Sequence, residues 1–119
     1  MRVLTVDDSR TILAMLRHTL VNAGFEVLQA EDGRQGLDVL KTEAVDVVIT
    51  DINMPVMDGI EFIKQVRASG QHQSLPILIL TTETSQEKRD LGKQAGGTGW
   101  IVKPFDPDKL ISVINKVVH

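Results

Sequence analysis

Three carboxylates in this chain stand immediately after short apolar runs: Asp7 and Asp8 after one, Asp51 after another. A hydroxyl, Thr81, and an ammonium, Lys103, follow two further runs of the same kind. Brought to one place, three carboxylates repel, so the group requires compensating charge. Lys103 supplies one positive unit. A hard divalent cation held by oxygen supplies two more, and Mg²⁺ is the candidate. The chain has no Cys, and its histidines, His18, His72 and His119, lie away from these positions. That donor set argues against zinc. A carboxylate beside Mg²⁺, a lysine and a threonine is suited to attack phosphorus. The cation and the ammonium neutralise the phosphoryl oxygens while the hydroxyl donates a hydrogen bond. The product is an aspartyl phosphate, a form of covalent catalysis. No G-x-x-x-x-G-K or G-x-G-x-x-G motif is present to cradle a nucleotide. Gly96, Gly97 and Gly99 read as a turn.

The elements that would position these residues follow from hydrophobic periodicity. Short runs rich in Val, Ile and Leu at 3–6, 25–29, 47–50, 77–80 and 100–102 read as strands buried on both faces. Helical spacing fills the gaps. Ile12, Leu13, Leu16 and Leu20 form a stripe in 9–22, stopped by Gly24. Leu37 and Leu40 mark 33–43 behind Asp32, and Phe62, Ile63 and Val66 mark 59–68 behind Asp58. Leu110, Ile114, Val117 and Val118 mark 107–118, with Asp106 as cap and Pro107 at the first helical position. The segment 85–95 is thinner, with Leu91 and Ala95 its clear apolar residues, and Thr84 with Glu87 reads as a capping box. Such a helix should be the least firmly packed of the five.

Five successive βα units require a parallel sheet with right-handed crossovers and helices on both faces. Five strands are too few for an eight-stranded barrel. The expected fold is therefore α/β, an open doubly wound five-stranded parallel sheet. Such sheets bind ligands at the carboxyl ends of their strands. There the chain places Asp7-Asp8, Ala30-Glu31-Asp32, Asp51-Ile52-Asn53-Met54-Pro55, Thr81-Thr82-Glu83 and Lys103-Pro104-Phe105.

Composition agrees with one domain over residues 1–119. The formal net charge is −3, with 16 acidic against 13 basic residues. That disfavours nonspecific nucleic-acid binding, for which excess Lys and Arg are needed. No apolar run approaches the roughly 20 residues of a membrane helix. Asp7 and Asp8 interrupt any apolar signal core, so a cytoplasmic location is expected.

At these residues the chain resembles the receiver domains of two-component response regulators. The resemblance rests on Val6-Asp7-Asp8-Ser9, on Thr50-Asp51-Ile52-Asn53-Met54-Pro55-Val56-Met57-Asp58-Gly59, on Leu80-Thr81-Thr82-Glu83 and on Gly99-Trp100-Ile101-Val102-Lys103-Pro104-Phe105. Each piece alone is weak, but the ordered set at successive strand ends is specific. Within that family the chain is most similar to single-domain chemotaxis regulators, with no effector domain following. The resemblance implies the flavodoxin-like (βα)5 fold with strand order 2-1-3-4-5, the order given in general form for such regulators.

The resemblance also implies roles. Asp51 is then the phosphoacceptor. Asp8 and Asp51 bind Mg²⁺ directly, Asn53 binds it through its backbone carbonyl, and Asp7 acts mainly through water. Thr81 and Lys103 assist the chemistry by contacting the phosphoryl group, and Lys103 alternatively pairs with Asp51. Thr81 and Trp100 form the switch, Trp standing where the family commonly has Tyr or Phe. Asn53 and Glu83, two residues beyond Asp51 and Thr81, tune dephosphorylation. The Lys103-Pro104 bond is expected to be cis. Each residue also has a plainer reading. Asp7 or Asp8 can cap the first helix, Thr81 can be an ordinary β-branched strand residue, and Trp100 can be a core aromatic.

The function so implied is a signalling switch and not a turnover enzyme. A chemotaxis histidine kinase, CheA, would donate the phosphoryl group. The face built from the fourth helix, fifth strand and fifth helix would then change affinity for a partner, with the flagellar motor switch protein as the usual target and the chain a monomer. Single-domain chemotaxis members often carry basic residues at the start of the fourth helix. Here Ser85 and Gln86 stand there, with Lys88 and Arg89 later. That departure keeps a phosphate sink for the chemotaxis kinase as the alternative. An aspartyl-nucleophile phosphohydrolase usually needs a carboxyl two residues after the nucleophile as general acid, and Asn53 is not one. A flavin carrier needs a hydroxyl-rich phosphate loop where this chain has Asp7-Asp8.

Overall fold

The structure, a computed structural model, describes residues 1–118. Five strands alternate with five helices: β1 (Arg2–Val6), α1 (Arg10–Asn22), β2 (Glu26–Ala30), α2 (Gly33–Thr42), β3 (Val47–Thr50), α3 (Gly59–Ala68), β4 (Ile77–Thr81), α4 (Gln86–Ala95), β5 (Gly99–Val102) and α5 (Pro107–Val117). The strands form one parallel sheet in the order β2-β1-β3-β4-β5. This is the expected doubly wound α/β architecture.

Local chemistry explains where the helices begin. The side chains of Asp32, Asp58 and Asp106 accept from the backbone N–H three residues on, at 2.9, 2.8 and 2.9 Å, each satisfying one orphan donor of a helix start. Pro107 occupies the first turn of α5. Ser9, rather than Asp7 or Asp8, caps α1 by accepting from Ile12 N–H at 3.3 Å. The Thr84 capping box is a misreading by one residue. Ser85 has the extended backbone of a cap, and its Oγ accepts from Lys88 N–H at 3.2 Å.

The three central strands are buried along nearly their whole length, as their apolar runs require. The edge strands β2 and β5 are only partly covered, so burial on both faces holds for β1, β3 and β4 alone. Two apolar clusters lie on opposite faces of the sheet. One joins Val3, Val47, Ile49, Leu78 and Leu80 to Leu16 and Leu20 of α1 and Leu110 and Ile114 of α5. The other joins Leu4, Val6, Val48, Ile77 and Ile79 to Leu40 of α2, Phe62, Ile63 and Val66 of α3 and Ala95 of α4, with Trp100 packed against it.

Helix α4 buries two small residues; Ala95 is one, as its sequence indicates, but the other is Gly92 in place of Leu91. Leu91 is exposed, and the buried positions are Gly92 and Ala95. A Cβ on Gly92 would meet Ile79 Cδ1 at 2.7 Å and the Trp100 ring at 3.3 Å. The missing side chain lets α4 lie against the indole, at the helix-propensity cost of about 1 kcal/mol that Gly carries.

Candidate functional site

The carboxyl ends of β1, β3 and β5 carry the charged group. Asp7 is 2% exposed. Its backbone N–H donates to the Ala30 carbonyl at 3.1 Å, continuing the β1–β2 pairing. Its Oδ1 accepts from Ser9 N–H at 2.9 Å and its Oδ2 from Lys103 Nζ at 2.8 Å. Asp51 is also buried. Its N–H donates to the Val6 carbonyl at 3.0 Å, its Oδ1 accepts from Ile52 N–H at 2.7 Å, and its Oδ2 accepts from Lys103 Nζ at 2.8 Å. One ammonium thus bridges two buried carboxylates. The pleat makes this possible. Side chains alternate along a strand, and Asp7, Asp51 and Lys103 continue the face of Val3, Ile49 and Ile101, the side covered by α1 and α5.

Burial and charge act in opposite directions here. Burial raises the Asp7 pKa above its usual value, although the hydrogen bonds from Lys103 and Ser9 and the charge of Lys103 pull it down. For Lys103, burial is the largest single influence and lowers the pKa. The hydrogen bonds and charges of Asp51 and Asp7 together outweigh it, so the net shift is upward. For Asp7, burial outweighs the compensation that Lys103 and Ser9 provide.

Asp8 is exposed beside this pair. Asp7, Asp8 and Asp51 each present a carboxylate oxygen within 4.8 Å of the others. Three hard oxygen donors at that spacing fit a Mg²⁺ ion, which takes few protein carboxylates and keeps several waters. Asn53 is exposed on the β3–α3 loop.

Thr81 ends β4 and is fully buried. Its alternation follows Ile77 and Ile79, so it belongs to the opposite face of the sheet from Asp51, the face that also bears Trp100. Its carbonyl accepts from Lys103 N–H at 2.8 Å, and its hydroxyl accepts from Glu83 N–H at 3.2 Å. Trp100 is half-buried, pairs in register with Ile79, and carries the Arg89 guanidinium 5.7 Å from its ring centroid. Its Nε1 is buried without a hydrogen-bond partner. The structure therefore brings Asp7, Asp8, Asp51 and Lys103 together, with Thr81 at the neighbouring strand end and Trp100 behind it. The Lys103–Pro104 bond is cis.

Two features of the site escape the sequence reading. A Cβ on Gly59 would overlap the Asp51 backbone carbonyl, and Gly59 N–H donates to the Ile52 carbonyl at 2.8 Å. The start of α3 thus rests directly on the backbone that aims Asp51. The Asp58-Gly59 step, a cap followed by the worst helix former but proline, is the one local sign of it in the sequence. The second feature is Val56, a β-branched residue at φ +68°. Met57 N–H donates to the Pro55 carbonyl at 2.7 Å across it, giving the rare γ-turn with positive central φ. Nothing in the residue type signals that conformation.

Residues 3–115 match the response regulator receiver domain family, and the chain belongs to that family. It is 41% identical over 120 residues to the "Chemotaxis protein CheY homolog" of Campylobacter jejuni, covering 99% of this chain and 92% of that one. Among solved structures it is similar to the chemotaxis response regulator CheY4 of Vibrio cholerae, with 51% identity, a TM-score of 0.92 and 98% of each chain covered. It is also similar to the receiver domain of the sensor histidine kinase PA1611 of Pseudomonas aeruginosa, at 26% identity and a TM-score of 0.90, covering 97% of this chain and 94% of that one. That structure has a magnesium ion coordinated in its active-site cleft. Among the described residues here, no helix is long and apolar enough to cross a membrane.

Proposed function

We propose that this receiver accepts a phosphoryl group on Asp51 from a histidine kinase, with Mg²⁺ as cofactor, and thereby switches its affinity for a partner. The observation that carries this reading is the single Lys103 ammonium 2.8 Å from both Asp51 and Asp7. Asp51 is the nucleophile in this reading: it shares Lys103 with Asp7 and stands on β3, between the strand that carries Asp7 and Asp8 and the strand that carries Lys103. Its Oδ2 attacks phosphorus, the bond from phosphorus to the donor's histidine nitrogen breaks, and that nitrogen keeps the electron pair. Lys103 holds the carboxylate before transfer and can follow the charge onto the phosphoryl oxygens afterwards. Asp8 and Asp51, with the Asn53 carbonyl, would hold the metal. Asp7, the more deeply buried of the two carboxylates that Lys103 bridges, would act through water. Bound Mg²⁺ supplies neutralisation of the charge that builds on the phosphoryl oxygens. Thr81 donates its hydroxyl hydrogen to the phosphoryl group, and Asn53 and Glu83 flank the site and set how readily water reaches it.

Because Thr81 and Trp100 share a sheet face, movement of Thr81 toward Asp51 opens space behind it for the indole. The α4–β5–α5 face then changes shape. Similarity to chemotaxis regulators supports a cytoplasmic role in chemotaxis, with a CheA-type kinase as donor, the flagellar motor switch protein as target and the receiver acting as a monomer. The test is retention on immobilised motor switch protein. The phosphorylated receiver should be retained several-fold better than the unphosphorylated one and the Asp51→Asn variant. Equal retention of all three, with kinase-to-receiver transfer intact, would replace motor binding with a phosphate-sink role.

A further inference from the structure

Helices α2 and α3 approach each other through glycine. A Cβ on Gly33 would meet Met57 Cγ and Phe62 Cβ at 2.9 Å, and one on Gly36 would meet the Phe62 ring at 2.8 Å. Next to this close contact the two helices border a cleft of about 600 Å³. Clefts that hold small molecules run from about 300 to 1,000 Å³. The floor is apolar. Leu40 and Val66 are buried there, and Leu37 and Met57 are half-buried.

The charges around this floor do not cancel. Arg34, Leu37, Asp38 and Lys41 line the cleft from α2, and their spacing puts them on one helical face. Lys41 lies 3.7 Å from Asp38, and Asp38 is the only carboxylate lining the cleft. Arg34 is exposed, and among the described residues its side chain has no hydrogen bond or ion pair. One guanidinium is therefore left over beside an apolar floor. Its planar fork matches a carboxylate through two parallel hydrogen bonds.

Met57 joins the cleft to the loop that follows Asp51. Its carbonyl accepts from Gly33 N–H at 3.2 Å, and its N–H donates to the Pro55 carbonyl at 2.7 Å across Val56. Val56 keeps φ +68°, a conformation that persists only where the surroundings hold it. Met57 is the neighbour that the turn and the cleft share.

We propose that this cleft binds a small apolar carboxylate, with its chain over Leu37, Leu40 and Val66 and its carboxylate on Arg34. The occupant bears on Met57 and, through it, on the turn at Val56. Arg34 repels an apolar cation, and a neutral apolar molecule leaves the guanidinium unmatched. Binding is read without a phosphodonor, so it is independent of the chemistry proposed at Asp51.

Titration of the whole chain with decanoate, kept below its micelle concentration and followed by NMR, tests the site. The methyl resonances of Leu37, Met57 and Val66 should shift and saturate together. Arg34→Gln, at an exposed position, should raise Kd about tenfold, the factor for losing a charge-assisted hydrogen bond. Decyltrimethylammonium, with the same chain length and the opposite charge, should bind at least tenfold more weakly than decanoate. The Gly33 and Val56 amides should move with the same Kd as the methyls. No saturable shift in wild type, or equal affinity in Arg34→Gln, would overturn the site. Shifts at these methyls that grow with protein concentration alone would give the cleft to a second copy of the chain and overturn it likewise. Unmoved Gly33 and Val56 amides at saturation would overturn the link to the loop.

Discussion

Lys103 Nζ lies 2.8 Å from Asp51 Oδ2 across 52 residues of sequence, and both side chains are about 10% exposed. The same nitrogen reaches Asp7, whose side chain is 3% exposed. Removing one partner of a buried ion pair leaves the other charge uncompensated, which costs roughly 3–5 kcal/mol. Lys103→Met should accordingly lower the metal-free stability by about 3 kcal/mol in urea unfolding. Mg²⁺ should restore part of that loss, because it replaces the missing positive charge at the same oxygens. A loss below about 1 kcal/mol would mean that the pair is no stronger than a surface bridge.

The upward shift of Asp7 makes a signed prediction about pH. Its folded pKa lies above the usual value of 3.8 because burial outweighs the help from Lys103 and Ser9. The folded state therefore binds the Asp7 proton more tightly than the unfolded chain. The resulting stabilisation is fully present below pH 3.8 and is lost as pH rises through the folded pKa. Without metal, the difference in melting temperature between wild type and Asp7→Asn should change across that window, with wild type gaining relative to the variant as pH falls. A difference that is flat with pH would show that Asp7 carries no shift. Lys103 acts at the other extreme, its contribution being lost only as pH climbs past its usual 10.5 through its raised folded value.

Asp8 is the exposed member of the acidic cluster. Metal binding to the folded state alone stabilises by RT ln(1 + [L]/Kd), about 1.4 kcal/mol at roughly ten times Kd. In a domain of this size that is a rise of about 5 °C. Asp8→Asn should raise the metal-free melting temperature, because repulsion falls, and should shrink the Mg²⁺ response. A full Mg²⁺ response in Asp8→Asn would remove Asp8 from the ligand set.

Most of this arrangement was legible in the sequence because parallel βα units send every strand end to one rim. Five short apolar runs are enough to place Asp7, Asp51, Thr81 and Lys103 there. What the sequence did not carry were details decided by packing between distant segments. Leu91 looks like the apolar anchor of α4, yet the contact is made by Gly92, since the half-buried Trp100 leaves no room for a side chain. Thr84 and Ser85 are equivalent as capping residues, and the path of the loop after Thr81 chose the second. The Arg67 bonds to Gly96 and His72 join a helix end to two loop carbonyls, and no local pattern announces such a bond. Hydrophobic runs record composition, not position in the sheet, so nothing in the runs themselves distinguishes the partly covered edge strands β2 and β5 from the buried central ones.

Trp100 is the sole tryptophan, so its emission reports one place. It sits on the Thr81 face, with Gly92 against its ring and Arg89 over it. Mg²⁺ alone should change the emission little, because the carboxylates lie on the other side of the strand. Phosphorylation should shift emission to shorter wavelength and lower quencher access as the indole moves inward. Thr81→Ala should abolish that shift while still permitting some phosphorylation. An unchanged spectrum in fully phosphorylated wild type would make Trp100 a packing residue and leave the switch to α4.

Whether Asp51 carries the phosphoryl group is decided by intact-mass measurement after incubation with a small phosphodonor. With Mg²⁺ the chain should gain one phosphoryl group, labile at high pH as an acyl phosphate is. Chelation of the metal should prevent the gain, and Asp51→Asn should abolish it. Stoichiometric addition to the Asp51→Asn protein would remove Asp51 as the acceptor, and addition to wild type that is indifferent to Mg²⁺ would remove the metal from the transfer.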